Sequence, residues 1–252
     1  MHIVSCFKVV PEEQDIVVTP DQKLSFDRAD FKISQFDLNG IEAAVQLAGE
    51  GDVVTALSVG GKILENSKLK KDVLSRGPSE LCLVKDAAFE GALAETTASA
   101  IAAAARTTGF DLLVFGEGSG DLYAQQTGLL AARILGVPCV NAVSSIEKTD
   151  AGIRVERSLE NEVEVIELPL PAAVCVTSDI NVPRIPTMKA ILGAGKKPAK
   201  TLSTADIGWS APAKTVELDA IEVPPRKERA HEVLEGDSAV ADFAARIKSA
   251  LK

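Results

Sequence analysis

Short apolar runs alternate with helix-like segments along the first half of the chain. The runs are rich in valine and leucine, and the segments between them repeat apolar residues at the spacing of a helix face. This alternation is typical of a parallel sheet whose strands are joined by crossover helices. The predicted strands cover residues 3–10, 53–59, 81–84 and 112–115.

Capping and breaking residues mark the helix boundaries. Asp37 is placed to cap the first helix with its carboxylate, and Gly77 followed by Pro78 ends the second. An alanine-rich helix ends at Gly109, and Gly136 ends the helix after it. The predicted helices cover residues 38–48, 64–75, 96–107 and 122–135.

The pattern changes from Asn141 onward. Short extended runs follow one another with turn residues between them and no helix, which favours an antiparallel extension of the sheet. Residues 179–200 contain three prolines and two glycines, and they predict a long loop of a length that is usually functional. The predicted extended runs cover residues 143–147, 153–159, 163–168 and 172–177.

These elements predict one large domain with an appendage. Residues 1–200 are expected to form an α/β domain with a Rossmann-like, mostly parallel sheet, helices on both faces and the antiparallel β extension. Residues 201–252 have too few apolar positions for a core of their own. We expect them to be an extended C-terminal arm, ending in a helix over residues 239–251, that packs on the domain or on another chain.

Composition excludes several classes of function. The 252 residues include 27 Lys and Arg against 36 Asp and Glu, and only 4% are aromatic, which argues against a nucleic-acid surface. No apolar run is long enough for a membrane span, and the first residues lack the pattern of a signal peptide, so we expect a cytoplasmic protein. The cysteines are far apart and lack metal-site spacing, so structural roles are expected for Cys6, Cys82, Cys139 and Cys175.

The strongest candidate site is the glycine-rich turn at residues 116–121, between a buried strand and a helix. Glycines let the backbone approach a ligand, and the first amides of the helix attract anions, so a phosphate site is predicted. A tight turn that uses glycine for geometry alone is the alternative. Asp121 stands where a dinucleotide G-x-G-x-x-G motif needs glycine. Residues 190–197 do not match a P-loop either, because Ala190 stands where that motif needs its first glycine.

No catalytic constellation is recognisable in the sequence. Neither His2 nor His231 lies near a serine or cysteine in a nucleophile-elbow context, and Ser119 lacks the flanking glycines of G-x-S-x-G. The carboxylates mostly follow predicted strands and turns, as on a solvated face. Binding or carrying is therefore favoured over catalysis.

Six separated segments, in the same order, resemble the β subunit of electron-transfer flavoproteins, in particular its bacterial FixA-type branch. The resemblance covers about residues 1–200 and is weaker in the tail. It includes the Lys8 and Pro11 of the first strand and the Gln-Thr-Gly at residues 126–128. The matching segments are residues 6–11, 33–44, 57–60, 116–128, 157–172 and 181–198.

The resemblance implies an electron carrier without catalytic residues of its own. Such a chain pairs with an α subunit that holds a redox-active FAD, and it exchanges electrons with acyl-CoA dehydrogenase-like proteins or with reductases. The β subunit itself binds AMP, whereas flavin-bifurcating relatives hold a second FAD in the same cleft. The FixA-type similarity suggests carnitine-related anaerobic metabolism.

Two other functions are alternatives to this one. The first is a stand-alone ATP-binding stress or signalling protein. The second is a nicotinamide-dependent dehydrogenase, and Asp121 and the lack of a catalytic histidine argue against it.

By position, the resemblance implies adenylate contacts at two strand ends, at the entry to the first helix and along the glycine-rich turn. Phe36 would form an apolar wall towards the flavin or adenine, or else belong to the core. Glu117 and Asp121 would repel a phosphate unless they face solvent or the ribose. The implied contacts are Cys6, Ser34, Gln35, Phe36, Asp37, Val59, Gly116, Glu117, Gly118, Ser119, Gly120, Asp121, Leu122, Tyr123, Ala124, Gln125, Gln126 and Thr127.

Residues 179–200 are similar to the family's partner-recognition loop. An apolar tip made by Met188 and Ile185, with Lys189 beside it, would insert into a partner's pocket. Lys196 and Lys197 would lie at the rim of that contact. The alternative is a loop folded back on its own domain.

Overall fold

A computed structural model describes residues 1–213, 216–225, 228 and 231–251. Thirteen strands and six α-helices are found in these residues. The strands are β1 (His2–Cys6), β2 (Val9–Pro11), β3 (Val17–Val18), β4 (Leu24–Ser25), β5 (Phe31–Ile33), β6 (Val53–Gly60), β7 (Glu80–Lys85), β8 (Leu112–Gly116), β9 (Cys139–Thr149), β10 (Gly152–Ser158), β11 (Val163–Pro169), β12 (Ala172–Val176) and β13 (Ala199–Leu202). The helices are α1 (Gln35–Leu47), α2 (Leu69–Leu74), α3 (Ala94–Thr108), α4 (Thr127–Leu135), α5 (Met188–Ala194) and α6 (Ala239–Ala250).

Nine of the strands form one sheet in the order β11-β10-β9-β12-β8-β1-β6-β7-β13. Seven of them, from β9 to β13 in that order, are parallel to one another, and β10 and β11 extend the sheet in antiparallel fashion. The predicted α/β fold with a mostly parallel sheet and an antiparallel extension is therefore confirmed. No helix among the described residues combines the length and apolar character needed to cross a membrane.

The strand order reverses next to β1. The chain runs from β1 to β6 and β7 on one side and then returns to place β8 on the other side. In open parallel sheets, a crevice forms at such a reversal, outside the carboxyl ends of the strands. The crevice of this fold is therefore expected between the ends of β1 and β8.

Helices cover both faces of the sheet because each central strand is apolar on both sides. Alternate residues of β1 point to opposite faces, with Val4 packed beside α3 and α4 and Ile3 packed beside α1. The buried surface of α3 is made of alanines and Ile101, and the alanines allow the helix to lie close to the strands. Ile41 of α1 and Val73 of α2 share the core under the other half of the sheet.

The run at residues 172–177 does not belong to the antiparallel extension, contrary to the prediction. It forms β12, which lies parallel between β8 and β9 in the middle of the sheet. All five residues of β12 are buried. A strand covered on both faces is uniformly apolar and does not alternate, and this run has that character.

The helix predicted over residues 122–135 begins five residues later, at Thr127. Tyr123 and Gln125 have φ angles of 46° and 55°, in the left-handed region that ends or prevents a right-handed helix. Asp37 does not cap α1 either, because α1 begins at Gln35 and the Asp37 side chain binds amides outside the helix.

The segment predicted as a long loop at residues 179–200 contains regular structure. A 3-10 turn (Ser178–Ile180) opens it, α5 follows, and β13 adds a parallel edge strand beside β7. The expected boundary between residues 200 and 201 falls inside β13. The chain remains on the domain as far as Trp209, whose ring centroid is 4.9 Å from that of Phe89 and whose Nε1 donates to Ser99 Oγ at 2.7 Å.

Gly116 is the point at which α1 lies closest to the sheet. A Cβ atom at this position would be 2.6 Å from the carbonyl carbon of Phe36, and that backbone cannot move aside cheaply. We expect Gly116→Ala to lower the free energy of unfolding by about 1–3 kcal/mol because it overpacks this contact. Denaturant unfolding of the purified chain measures the change.

Gly193→Ala in α5 is the matched control, because nothing lies within 4 Å of its added methyl group. It should leave the stability unchanged or raise it by about 0.5–1 kcal/mol, since alanine favours a helix over glycine. Equal effects of the two substitutions would contradict the close approach at Gly116.

Candidate functional site

A cavity of about 550 Å³ opens at the carboxyl ends of β1, β6 and β8, where the strand order reverses. Its size is in the range of small-molecule and cofactor sites. One wall is formed by Cys6, Val59 and the segment from Gly116 to Gly128. The lining also includes the stretch from Phe89 to Ala94 and two residues of the C-terminal arm, Leu218 and Ile221.

Backbone hydrogen bonds hold the loop at residues 116–126 (the glycine loop) in place. The amide of Glu117 donates to the carbonyl of Val176 at 2.9 Å, and the amide of Gly120 donates to Ser34 Oγ at 3.3 Å. Gly118 has no room for a Cβ atom, which would lie 2.5 Å from the ring of Tyr123. The glycines therefore let the loop fold tightly beside β8.

The N-terminus of α4 faces the cavity without a capping side chain. Gln126 occupies the N-cap position and makes no side-chain cap hydrogen bond. Thr127 and Gly128 in the first turn both line the cavity. Uncapped first-turn amides and the helix dipole together favour an anionic group at this position.

Asp37 joins the two strand ends beneath the cavity. Its buried carboxylate accepts hydrogen bonds from the amide of Lys8 at 2.8 Å and from the amide of Gly116 at 3.3 Å. Burial raises the pKa of Asp37 to about 7, although both amide donors act in the opposite direction. Asp37 thus fixes the chain after β1 against the end of β8.

Lys8 compensates the charge of Asp121. Its Nζ lies 2.5 Å from Asp121 Oδ2, and Ser119 Oγ donates to Asp121 Oδ1 at 2.5 Å. Burial alone would raise the pKa of Asp121, but the hydrogen bonds from Lys8 and Ser119 hold it below its ordinary value. The expected repulsion between Asp121 and a phosphate is therefore reduced by a residue that the site prediction omitted.

Most of the predicted contact residues line this cavity. Gln35 does not line it and is exposed, and Ser34 lies buried behind the glycine loop. Phe36 and Tyr123 pack against each other beside the cavity, with ring centroids 5.1 Å apart. The predicted residues on the cavity wall are Cys6, Asp37, Val59, Gly116, Glu117, Gly118, Ser119, Gly120, Asp121, Leu122, Ala124, Gln125, Gln126 and Thr127.

The sequence-based site missed part of the cavity lining. Phe89 and Leu93 lie between β7 and α3, Thr97 lies in the first turn of α3, and Leu218 and Ile221 lie in the arm. No local motif marks these positions. Lys8 could have been found, because it belongs to the first-strand segment that carries the resemblance.

The segment after β12 is fastened to α1. Asn39 Nδ2 donates to the carbonyl of Asn181 at 2.9 Å, and Asn181 Nδ2 donates to the carbonyl of Asn39 at 3.0 Å. Arg184 donates to the Glu42 carboxylate from Nε at 2.6 Å and from Nη2 at 2.9 Å. Burial by itself raises the pKa of Glu42, but the hydrogen bonds from Arg184 hold it below its ordinary value.

The tip of this anchored segment projects into solvent. Ile185 is 91% exposed and Met188 is 74% exposed, and Lys189 is also exposed. Lys197, which the resemblance implies at the rim of the partner contact, binds its own domain in this chain. Its Nζ donates to the carbonyls of Leu74, Gly77 and Pro78 at 2.9, 3.3 and 2.6 Å, so it satisfies the end of α2.

The described residues contain no group of three or more His, Cys, Asp or Glu side chains that could hold a metal ion. The four cysteines are free thiols, and three of them are buried. Cys139 is half-buried and has Cys175 as its neighbour, and this contact lowers the pKa of the Cys139 thiol.

The chain matches a known family model. Residues 23–207 match the model described as "Electron transfer flavoprotein domain". The match covers well over half of the chain. It includes α1, the glycine loop and the segment anchored by Asn39 and Glu42.

The buried carboxylate of Asp37 predicts an unusual pH dependence of stability. Because its pKa rises from 3.8 to about 7 on folding, its contribution to stability is complete at low pH and is lost as the pH rises through 7. The stability difference between the wild type and Asp37→Asn should therefore fall between about pH 4 and pH 8, by up to about 4 kcal/mol. Urea unfolding at a series of pH values measures this difference.

Asp52 provides a control of opposite sign. Hydrogen bonds from Lys148 and the N-terminal ammonium hold the pKa of Asp52 well below its ordinary value. Its stabilising contribution is present above that ordinary value and is lost as the pH falls. The stability difference from the wild type should therefore change with pH in opposite directions for Asp37→Asn and Asp52→Asn. A change in the same direction for both variants would contradict the burial of Asp37.

Proposed function

Because the chain belongs to the electron transfer flavoprotein domain family, we propose that it is the β subunit of a heterodimeric electron-transfer flavoprotein of the FixA-type branch. In this proposal it binds AMP, helps to hold the FAD of an α subunit and shuttles electrons to or from acyl-CoA dehydrogenase-like proteins or reductases. Its physiological setting would be carnitine-related anaerobic metabolism. The redox chemistry belongs to the flavin, and this chain binds, orients and docks.

The observation that carries the proposal is the cavity at the strand reversal, with the glycine loop and the uncapped start of α4 in one wall. Backbone amides at the start of α4 would hold the phosphate of AMP. Gln126 and Thr127 offer side-chain hydrogen bonds to the ribose, and Val59 and Phe115 offer apolar contacts to the base. The residues present therefore fit an adenylate.

The flavin of the α subunit would meet this chain beside the cavity. Phe36 and Tyr123 form a tilted aromatic pair there, and Tyr123 remains 45% exposed. Such a pair presents a flat apolar edge that excludes water from an adjacent ring. We propose that these two residues, and not the cavity itself, form this chain's part of the flavin site.

The segment around Met188 and Ile185 would dock the electron donor or acceptor. Its tip is exposed, whereas its base is fixed to α1 through Glu42 and Arg184. Anchoring lowers the ordering cost of binding, so an exposed apolar tip on a fixed base suits a transient docking contact. Lys189 would contribute charge at the edge of the contact.

The arm at residues 201–252 would pack on the α subunit. Val240, Phe243 and Ile247 of α6 are exposed and follow the spacing of one helix face. None of the residues of α6 is buried in this chain. A helix with an exposed apolar stripe needs a covering surface, which the α subunit would supply.

A second candidate ligand for the cavity is FAD, as in flavin-bifurcating relatives. The cavity lining also includes apolar side chains from outside the implied adenylate contacts, among them Ile16, Leu24 and Phe26. These side chains could cover a flavin ring. The stoichiometry of bound nucleotides separates the two candidates.

Co-expression with an α-type subunit tests the proposed function. We expect the purified and denatured complex to release one FAD and one AMP per pair, identified and counted by mass spectrometry. Two FAD per pair would instead support the bifurcating candidate. ATP without flavin would contradict the proposal and support a stand-alone nucleotide-binding protein.

Met188→Glu tests the docking role. The side chain is 74% exposed, so the substitution should not unfold the chain, but a carboxylate would be buried without a partner in an apolar pocket. We expect flavin reduction by the partner dehydrogenase to slow about ten-fold or more, since such burial costs more than about 1.4 kcal/mol. Val163→Glu, on an exposed valine of β11 at the far end of the sheet, is the control. Equal transfer rates for Met188→Glu and the wild type would remove Met188 from docking.

A further inference from the structure

The cavity is poor in positive charge for a site that would hold a phosphate. Among the described residues that line it, Lys8 has the sole lysine or arginine side chain. Five carboxylates line the same cavity. They are Glu13, Asp37, Glu90, Glu117 and Asp121.

Most of these carboxylates have partners other than the Lys8 ammonium group. Asp37 accepts from two amides, Glu90 accepts from the amide of Lys62 at 2.6 Å, and Glu13 forms an ion pair with Lys32. Their charges are therefore partly satisfied in place. Asp121 differs, because the charged group that faces it is Lys8.

The pair of Lys8 and Asp121 connects the two sides of the crevice. Lys8 follows β1, where its backbone amide is fixed by Asp37 at 2.8 Å, and Asp121 belongs to the glycine loop. The Lys8 side chain is 41% exposed and that of Asp121 is 26% exposed. A solvent-exposed ion pair contributes little to stability, so the ammonium can change partners at low cost.

We propose that Lys8 is the counter-charge of a nucleoside phosphate in this cavity and that Asp121 competes with the phosphate for the same ammonium group. The inference rests on the proposed function and adds two specificity-determining residues to it. A phosphate dianion attracts the ammonium more strongly than a carboxylate does, so binding transfers Lys8 from Asp121 to the ligand. The exchange favours phosphorylated nucleosides over free ones.

A purely structural ion pair makes a different prediction. If Lys8 and Asp121 only joined the glycine loop to β1, removing either partner would loosen the loop and weaken every ligand alike. In the proposed exchange the two removals have opposite effects on a phosphorylated ligand. The affinity for the uncharged nucleoside is unchanged by either removal.

The test measures AMP and adenosine binding to the full chain by isothermal titration calorimetry. Lys8→Met should weaken AMP binding about ten-fold or more and leave adenosine binding unchanged, since the lost contact is a charge-assisted one. Asp121→Asn should tighten AMP binding roughly three-fold or more, because it frees Lys8 and removes a repulsive charge. Lys68→Met and Asp150→Asn, both exposed and outside the cavity wall, control for net charge.

Three results would overturn the inference. They are unchanged AMP binding in Lys8→Met, equal losses for AMP and adenosine in that variant, and weaker AMP binding in Asp121→Asn. Each of these results is compatible with AMP binding by the wild type, so none of them would contradict the proposed function. A wild type that binds no AMP would contradict the proposed function itself, and this inference with it.

Discussion

The contact between the start of α1 and the end of β8 determines the geometry of this molecule. Asp37 accepts hydrogen bonds from the amides of Lys8 and Gly116, which lie after β1 and at the end of β8. Gly116 allows the approach because a Cβ atom would be 2.6 Å from the Phe36 backbone. A buried carboxylate that holds two amides has few alternative arrangements. The crevice, the glycine loop and the first turn of α1 are therefore fixed relative to one another.

The same helix connects the candidate nucleotide cavity with the segment proposed for docking. The first turn of α1 lies under the glycine loop, and its middle holds the segment after β12 through Asn39 and Glu42. The whole of α1 has thirteen residues, so at a rise of 1.5 Å per residue these contacts lie less than about 20 Å apart along the helix. Under the proposed function, this one helix would hold the docking tip at a fixed distance from the cavity.

The periodicity of apolar residues predicted the layers of the fold but not which side chains from distant segments pair with each other. The alternation of strands and helices identified the α/β architecture, and the uniformly apolar β12 carried a cue to its central position. The late start of α4 depends on left-handed residues whose conformation no local pattern announces. Lys8 and Asp121 are 113 positions apart in the sequence, and Glu42 and Arg184 are 142 positions apart. Neither ion pair could therefore be predicted from sequence spacing. The glycine loop was predictable because its chemistry is contiguous in sequence.

Hydrogen exchange of the full chain with and without AMP tests the central claim most directly. If backbone amides of the glycine loop and the first turn of α4 bind the phosphate, peptides covering residues 116–129 should exchange more slowly with AMP. Peptides from β10 and β11 should exchange at the same rate in both samples, because those strands lie outside the cavity. Saturating AMP that slows exchange elsewhere but not at residues 116–129 would contradict the account.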